Sequence, residues 1–244
     1  MKVYENVVIG NFLYGLGVSV GKLVKGDDFP SVINLIQQTP DDVPLGDLLY
    51  LSEGMLIIAE FKLVQNTRGQ EKERNKQKKL EEQLKIQPDL IHVSREVHWY
   101  IEADTSTGFL ETEITPYIDA FKTEKNYSRM SEFLKRTADL AVNGGAVSTA
   151  KQMNKYIAML ATVHGKEGSG SNGIKSAGIF AKISTDGSIT YMQTESIYEL
   201  VMTMEKIREE RERGSGMEQD VGKMTSLEYS NERSNKRDID HGPY

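Results

Sequence analysis

Residues 44–62, PLGDLLYLSEGMLIIAEFK, read as an antiparallel β-hairpin that carries charges at its open end. DLLYL forms the first strand, Ser52-Glu53-Gly54 the turn, and MLIIAEFK the second strand. Strand side chains alternate between faces, so Leu56, Ile58, Glu60 and Lys62 share one face and Met55, Ile57, Ala59 and Phe61 the other. A strand that is apolar on both faces is buried between layers. Its two terminal charges then lie at the edge of a core, where burial is costly unless a partner compensates.

The loop length decides what faces Glu60. With Glu53-Gly54 as a two-residue loop, Asp47 stands directly opposite Glu60. A three-residue loop with Gly54 as a bulge pairs Asp47 with Ala59 and turns the acid to the other face. A four-residue loop restores the face, with Asp47 diagonal to Glu60. Opposed carboxylates about 5 Å apart at Cβ repel, and a hard divalent cation such as Mg²⁺ relieves that repulsion through oxygen ligands. Lys62, two residues beyond Glu60, reaches over the same cluster. There its ammonium orients or helps deprotonate a water, or stabilises negative charge developing on phosphorus. The plainer reading is that Glu60 and Lys62 mark where the strand leaves the core for solvent.

An acid at a strand start followed by Glu-x-Lys at the end of the next antiparallel strand resembles the PD-(D/E)xK superfamily of restriction-endonuclease-like nucleases. Asp47 and Glu60-Phe61-Lys62 carry the likeness, which spans roughly residues 1–104 as helix, hairpin, helix and further strand. The resemblance implies a metal, Mg²⁺ or Mn²⁺, held by Asp47, Glu60 and the Phe61 carbonyl, with Asp47, Glu60 and Lys62 catalytic. An acid from the leading helix often completes such sites, and Glu5 is the candidate. The superfamily's Pro-Asp dipeptide does not directly precede the hairpin strand: Pro40-Asp41 lies earlier and Gly46 stands before Asp47, which leaves Asp41 and Asp42 as rivals for the first position.

Working outward, the apolar residues 3–24 suggest a helix over roughly 3–14, ended by a glycine-rich turn. FPSVINLIQQ (29–38) suggests a short helix, and TPDDVPLG (39–46) a loop. Gln70–Ile86 is made of helix formers and stops before Pro88. Residues 62–85 hold eight Lys/Arg and four Glu, a local +4 in a chain of net charge −6. On that helix Lys72, Lys76 and Lys79 share a face, with Leu80 and Leu84 as apolar anchors. They form a candidate nucleic-acid track, weighed against a merely solvated face.

DLIHVSREVHWYIEAD (89–104) has the β-branched and aromatic content of one or two strands, and FLETEIT adds an extended piece. His92, Glu96, His98 and Glu102 would share parity on one strand, where an exposed polar row on a sheet face explains them more simply than a metal-chelating set. His98 or Trp99 would approach the site from beside 55–62. Helices are expected over about 117–141 and 146–163, a linker at 165–173, a hairpin of AGIFAKIS and SITYMQ around Thr185-Asp186-Gly187, and a helix from about Glu195 to Arg211. Apolar residues thin out after Gly214.

The expected architecture is α/β: a restriction-endonuclease-like core with a mixed β-sheet flanked by helices (1–116), a mainly helical C-terminal portion with a hairpin (117–213), and a disordered tail (214–244). The absence of cysteine excludes disulfides, thiol nucleophiles and zinc ribbons. Together with an N-terminus whose Glu5 interrupts what would be the apolar region of an export signal, and with no membrane-spanning run, it suits a cytoplasmic protein. Gly15–Lys22 fails the phosphate-loop templates, and no nucleophile elbow is present. Two functions follow as expectations. The first is metal-dependent nuclease action, with DNA favoured. The second is a non-catalytic binding or assembly subunit, with residues 117–211 meeting a protein partner or a second copy.

Overall fold

A computed structural model describes residues 3–24, 29–35, 46–52, 55–144, 148–164, 178–183, 189–194 and 201–206, with Glu209 and Arg213. Seven strands form one mixed sheet: β1 (Phe29–Leu35), β2 (Leu48–Ser52), β3 (Met55–Leu63), β4 (His98–Asp104), β5 (Glu111–Pro116), β6 (Gly178–Ile183) and β7 (Ile189–Thr194). Their order is β5-β4-β3-β2-β1-β6-β7. β3 and β4 are parallel, and every other neighbouring pair is antiparallel. A parallel pair needs a long crossover, here supplied by helices α2 (Thr67–Ile86) and α3 (Ile91–Val97).

Period two sets the layers. One face of the sheet carries Leu48, Tyr50, Ile57, Ala59, Phe61, Trp99, Ile101 and Ile114. It packs under α1 (Glu5–Gly21) and α4 (Met130–Asn143), with Phe12, Phe61 and Phe133 in ring contact. The opposite face carries Ile58, Glu60 and Lys62 of β3 beside His98, Tyr100 and Glu102 of β4. α2, α3 and α5 (Ala150–His164) cover it, joined by hydrogen bonds among Ser94, His98 and Tyr156 and from Tyr117 to Glu73.

Several expectations are corrected. α1 does not stop near residue 14 but runs through its glycines to Gly21. Val8, Ile9, Phe12, Leu16 and Val20 recur at helical spacing, and their burial outweighs the glycine cost of about 1 kcal/mol each. Gly15 serves packing, since a Cβ there would lie 2.7 Å from Leu134 Cδ1 of α4. Residues 29–35 are a strand, not a helix, because β2 and β6 supply ladders on both sides. Only 98–104 of the 89–104 stretch is strand. Pro88–Leu90 is a 3₁₀ turn leading into α3, which buries Val93 and Val97. His92 and Glu96 therefore lie on α3 and do not share a strand with His98 and Glu102. The helix expected from 117 begins at Met130, after a 3₁₀ turn at Tyr117–Asp119.

The hairpin of β6 and β7 and the extended piece at β5 match expectation. Contacts divide the chain into Met1–Glu205 and Lys206–Tyr244. In the first, the helices after residue 117 share the core of the sheet: α4 buries Phe133, Leu134 and Ala138 with α1. In the second, Arg213 pairs with Glu209 at 3.8 Å. The loop 39–45 with Asp41 and Asp42, the turn Glu53-Gly54, the linker 165–173, most of the helix expected at 195–211, and the tail 214–244 lie outside the described residues. Among the described residues no helix is long and apolar enough to cross a membrane.

Candidate active site

The β2–β3 register runs from Leu48↔Ala59 to Ser52↔Met55, which leaves two residues between the strands. This is the two-residue-loop pairing, and one step further along it Asp47 opposes Glu60. Asp47 enters the ladder through its own N–H, which donates to the Ala59 carbonyl at 3.0 Å. Its Oδ2 accepts from the Phe61 N–H at 2.7 Å, so the carboxylate serves the strand as a main-chain acceptor would. Gly46 makes the approach possible. Its φ of +89° suits glycine, and a Cβ there would lie 3.2 Å from the Ala59 oxygen and 3.3 Å from Glu60 Oε2.

Lys62 gathers the group. Its Nζ donates to Glu60 Oε1 and, at 2.9 Å, to the Phe61 carbonyl. Asp47 Oδ2 lies 3.6 Å away and Glu5 Oε2 3.9 Å away. Glu5 arrives from the first residue of α1 and is held by Asn66 Nδ2 at 2.9 Å. Asp47, Glu60 and Lys62 are all buried, while Glu5 is partly open. The cluster stands at the carboxyl end of the parallel β3/β4 pair, the end where α/β sheets commonly place ligands.

Burial pushes the Glu60 carboxyl up to about 8, and the neighbouring Asp47 and Glu73 add to the rise against the opposing pull of Lys62 and Lys76. Burial works against the Lys62 ammonium, yet Glu60, Asp47 and Glu5 together hold its pKa above the ordinary lysine value. As the site stands, Lys62 is a firmly held cation and not a base.

The other expected residues are distributed as follows. Lys72 and Lys79 are exposed on α2. Lys76 pairs instead with Glu73 at 2.8 Å, and despite burial its pKa is held up by Glu60 and Glu73. Tyr100 and Glu102 of β4 flank Glu60 and Lys62, whereas His98 pairs with Ile58 and Trp99 faces the opposite layer. His98 is buried, stacked on Tyr117 with ring centres 4.1 Å apart. It is not part of an exposed polar row.

Two neighbours went unnoticed in the sequence. Glu73 is buried beneath the site and accepts from Tyr117 Oη at 2.7 Å. Its signal was present, because Glu73, Gln77, Leu80 and Leu84 follow helical spacing and place the acid on the apolar face. Tyr100 was visible only as strand content, and among the described residues its buried hydroxyl has no hydrogen-bond partner.

The donors around Lys62 Nζ are two carboxylates and a carbonyl, with a third carboxylate at the rim, a hard-oxygen set suited to Mg²⁺ or Mn²⁺. Among the described residues no three acidic or histidine side chains are grouped to cage an ion as they stand; the ammonium takes the central place. Compared with protein-family models, curated proteins and solved structures, the chain gives no match.

Proposed function

We propose that this protein is a metal-dependent phosphodiesterase, most simply a nuclease acting on DNA, built on a restriction-endonuclease-like core and working in the cytoplasm. The observation that carries this reading is the convergence of Asp47, Glu60, the Phe61 carbonyl and Glu5 on one cationic centre at the end of a buried strand. Asp47, Glu60 and the Phe61 carbonyl would hold Mg²⁺ or Mn²⁺, with Glu5 at its open side. Such an ion, when bound, polarises the phosphate and makes water more acidic.

The chain's own residues divide the remaining work. Glu60 gives up its proton so that its carboxylate can serve as a ligand. Lys62, freed from Glu60, offers its ammonium to the phosphoryl oxygens or orients the attacking water. Once the carboxylates are neutralised, the attraction that raises the Lys62 pKa weakens, and proton exchange with water becomes easier. Lys72 and Lys79, exposed on α2 next along the chain, provide phosphate contacts for positioning.

The test is plasmid degradation with Mg²⁺ or Mn²⁺ by wild type, Glu60→Gln and Lys62→Met. Cleavage by wild type that falls at least about a hundredfold in both variants is expected from loss of electrostatic stabilisation. Equal cleavage by all three, or none by any, refutes the enzyme reading. The second reading, a non-catalytic binding or assembly subunit on the same fold, draws on the Lys62 contacts: a satisfied ammonium neutralises acids without any metal.

A further inference from the structure

A second feature lies at the other end of β3. Ile57, Trp99, Phe133, Leu140 and Met153 line an apolar cavity of about 250 Å³ between β3, β4, α4 and the start of α5. β3 leads from this cavity to Lys62, so the two sites are separated by roughly 15 Å of strand. One charged group at the cavity differs from the rest. Arg95 is engaged by Asp119 at 3.0 Å, and Glu96 accepts from the Ser148 hydroxyl. Arg136, at the mouth, has no carboxylate or hydrogen-bond partner among the described residues. Its guanidinium rests over the Trp99 and Phe133 rings, 5.0 and 5.5 Å from their centres. Stacking leaves the edge of the guanidinium, with its five N–H donors, free to meet an oxyanion.

We propose that this cavity binds a small amphiphilic anion, its apolar body within the pocket and its carboxylate against Arg136. Apolar side chains dominate the lining, and of its polar members Glu96 and Ser148 bond each other while Arg95 pairs with Asp119, so a hydrocarbon body fits the pocket. The cation at the rim decides the sign of the head group. A planar carboxylate matches the fork of Arg136 through paired N–H donors, whereas a neutral amide of the same shape gains nothing from the charge. A cationic head is repelled.

Trp99 is the sole tryptophan of the chain and lines the pocket, so its fluorescence reports occupancy directly. The experiment titrates the full-length protein with octanoate, below its micelle concentration, and with octanamide as the neutral control. A saturable change in Trp99 emission is expected, with octanoate binding about tenfold more tightly than octanamide. Arg136→Gln should bring octanoate down to the level of octanamide, and Arg136→Lys should keep part of the preference. Absence of a saturable change with octanoate, equal affinity for acid and amide in wild type, or an undiminished preference in Arg136→Gln overturns the proposal. Should Arg136→Gln fail to fold, the acid-against-amide comparison in wild type decides alone.

Discussion

Replacing Lys62 by methionine keeps most of the side-chain volume and removes the charge that three carboxylates share. In the metal-free protein Asp47 and Glu60 are then buried without compensation. A single pair at 3.6 Å, such as Lys62 with Asp47, is worth about 5 kcal/mol gross at an effective dielectric of about 20. Desolvation offsets part of this while the pair is intact, but removing one partner leaves the cost on the other. Breaking a buried pair this way costs about 3–5 kcal/mol. In a unit of Met1–Glu205 size each kcal/mol moves the midpoint by about 2–4 °C. Lys62→Met should therefore melt roughly 6–20 °C below wild type in chelator.

The informative arm is the same melt with Mn²⁺. If the acids form a cation site, the ion takes over the neutralising role, and the variant gains more from Mn²⁺ than wild type, whose own ammonium competes. Differential scanning fluorimetry with and without Mn²⁺ reads both numbers. An Mn²⁺ effect equal in the two proteins, or no destabilisation in chelator, refutes the reasoning that Lys62 and a metal share one place.

Two other perturbations test neighbouring parts of the site. Glu60 has a folded pKa raised from 4.5 to about 8, so the stability linked to its proton is present below 4.5 and is lost as pH rises through about 8. In chelator, Glu60→Gln should therefore gain on wild type across that window, by at most about 5 kcal/mol at about 1.4 kcal/mol per pH unit. Denaturant titrations at pH 5, 6.5 and 8 measure it, and a constant difference contradicts the assignment. Gly46→Ala imposes a left-handed φ of +89° on a Cβ facing the Ala59 oxygen and Glu60 Oε2. It should cost about 1–2 kcal/mol by urea unfolding and weaken Mn²⁺ affinity by calorimetry, and unchanged affinity would mean Glu60 is not held by that approach.

The site was more legible than the fold around it, for a physical reason. Period two and the expense of burying Glu60 and Lys62 are local facts, and of the three loop lengths the sequence leaves open, the two-residue one is realised and brings Asp47 to the cluster. β1 was hidden because its partners, β2 and β6, are supplied from elsewhere, the latter by residues 179–183. A short apolar run cannot announce such a ladder in advance. α3 was hidden by the opposite effect. Val93 and Val97 have strand propensity, yet they sit four apart on a helix whose burial on β3 and β4 overrides it. The chain Ser94–Tyr156–His98 joins residues about sixty positions apart through hydrogen bonds of 3.0 and 2.9 Å, which no spacing rule encodes.

Charge balance gives the strongest reason to look for a cation here. Glu5, Asp47 and Glu60 bring three potential negative charges to one ammonium, and the nearby Glu73 and Lys76 cancel each other. A purely structural cluster has little reason to keep that excess, since hydrophobic replacements of buried ion pairs are often neutral or stabilising. The protein answers the excess in part by retaining a proton on Glu60, whose raised pKa is the symptom of too much negative charge in too little water. Fully ionised, the three acids and Lys62 carry a net charge of minus two, and a divalent ion supplies the matching countercharge. The balance favours an exchangeable site, in which proton and Lys62 hold the acids in reserve, over a fixed brace at the end of β3.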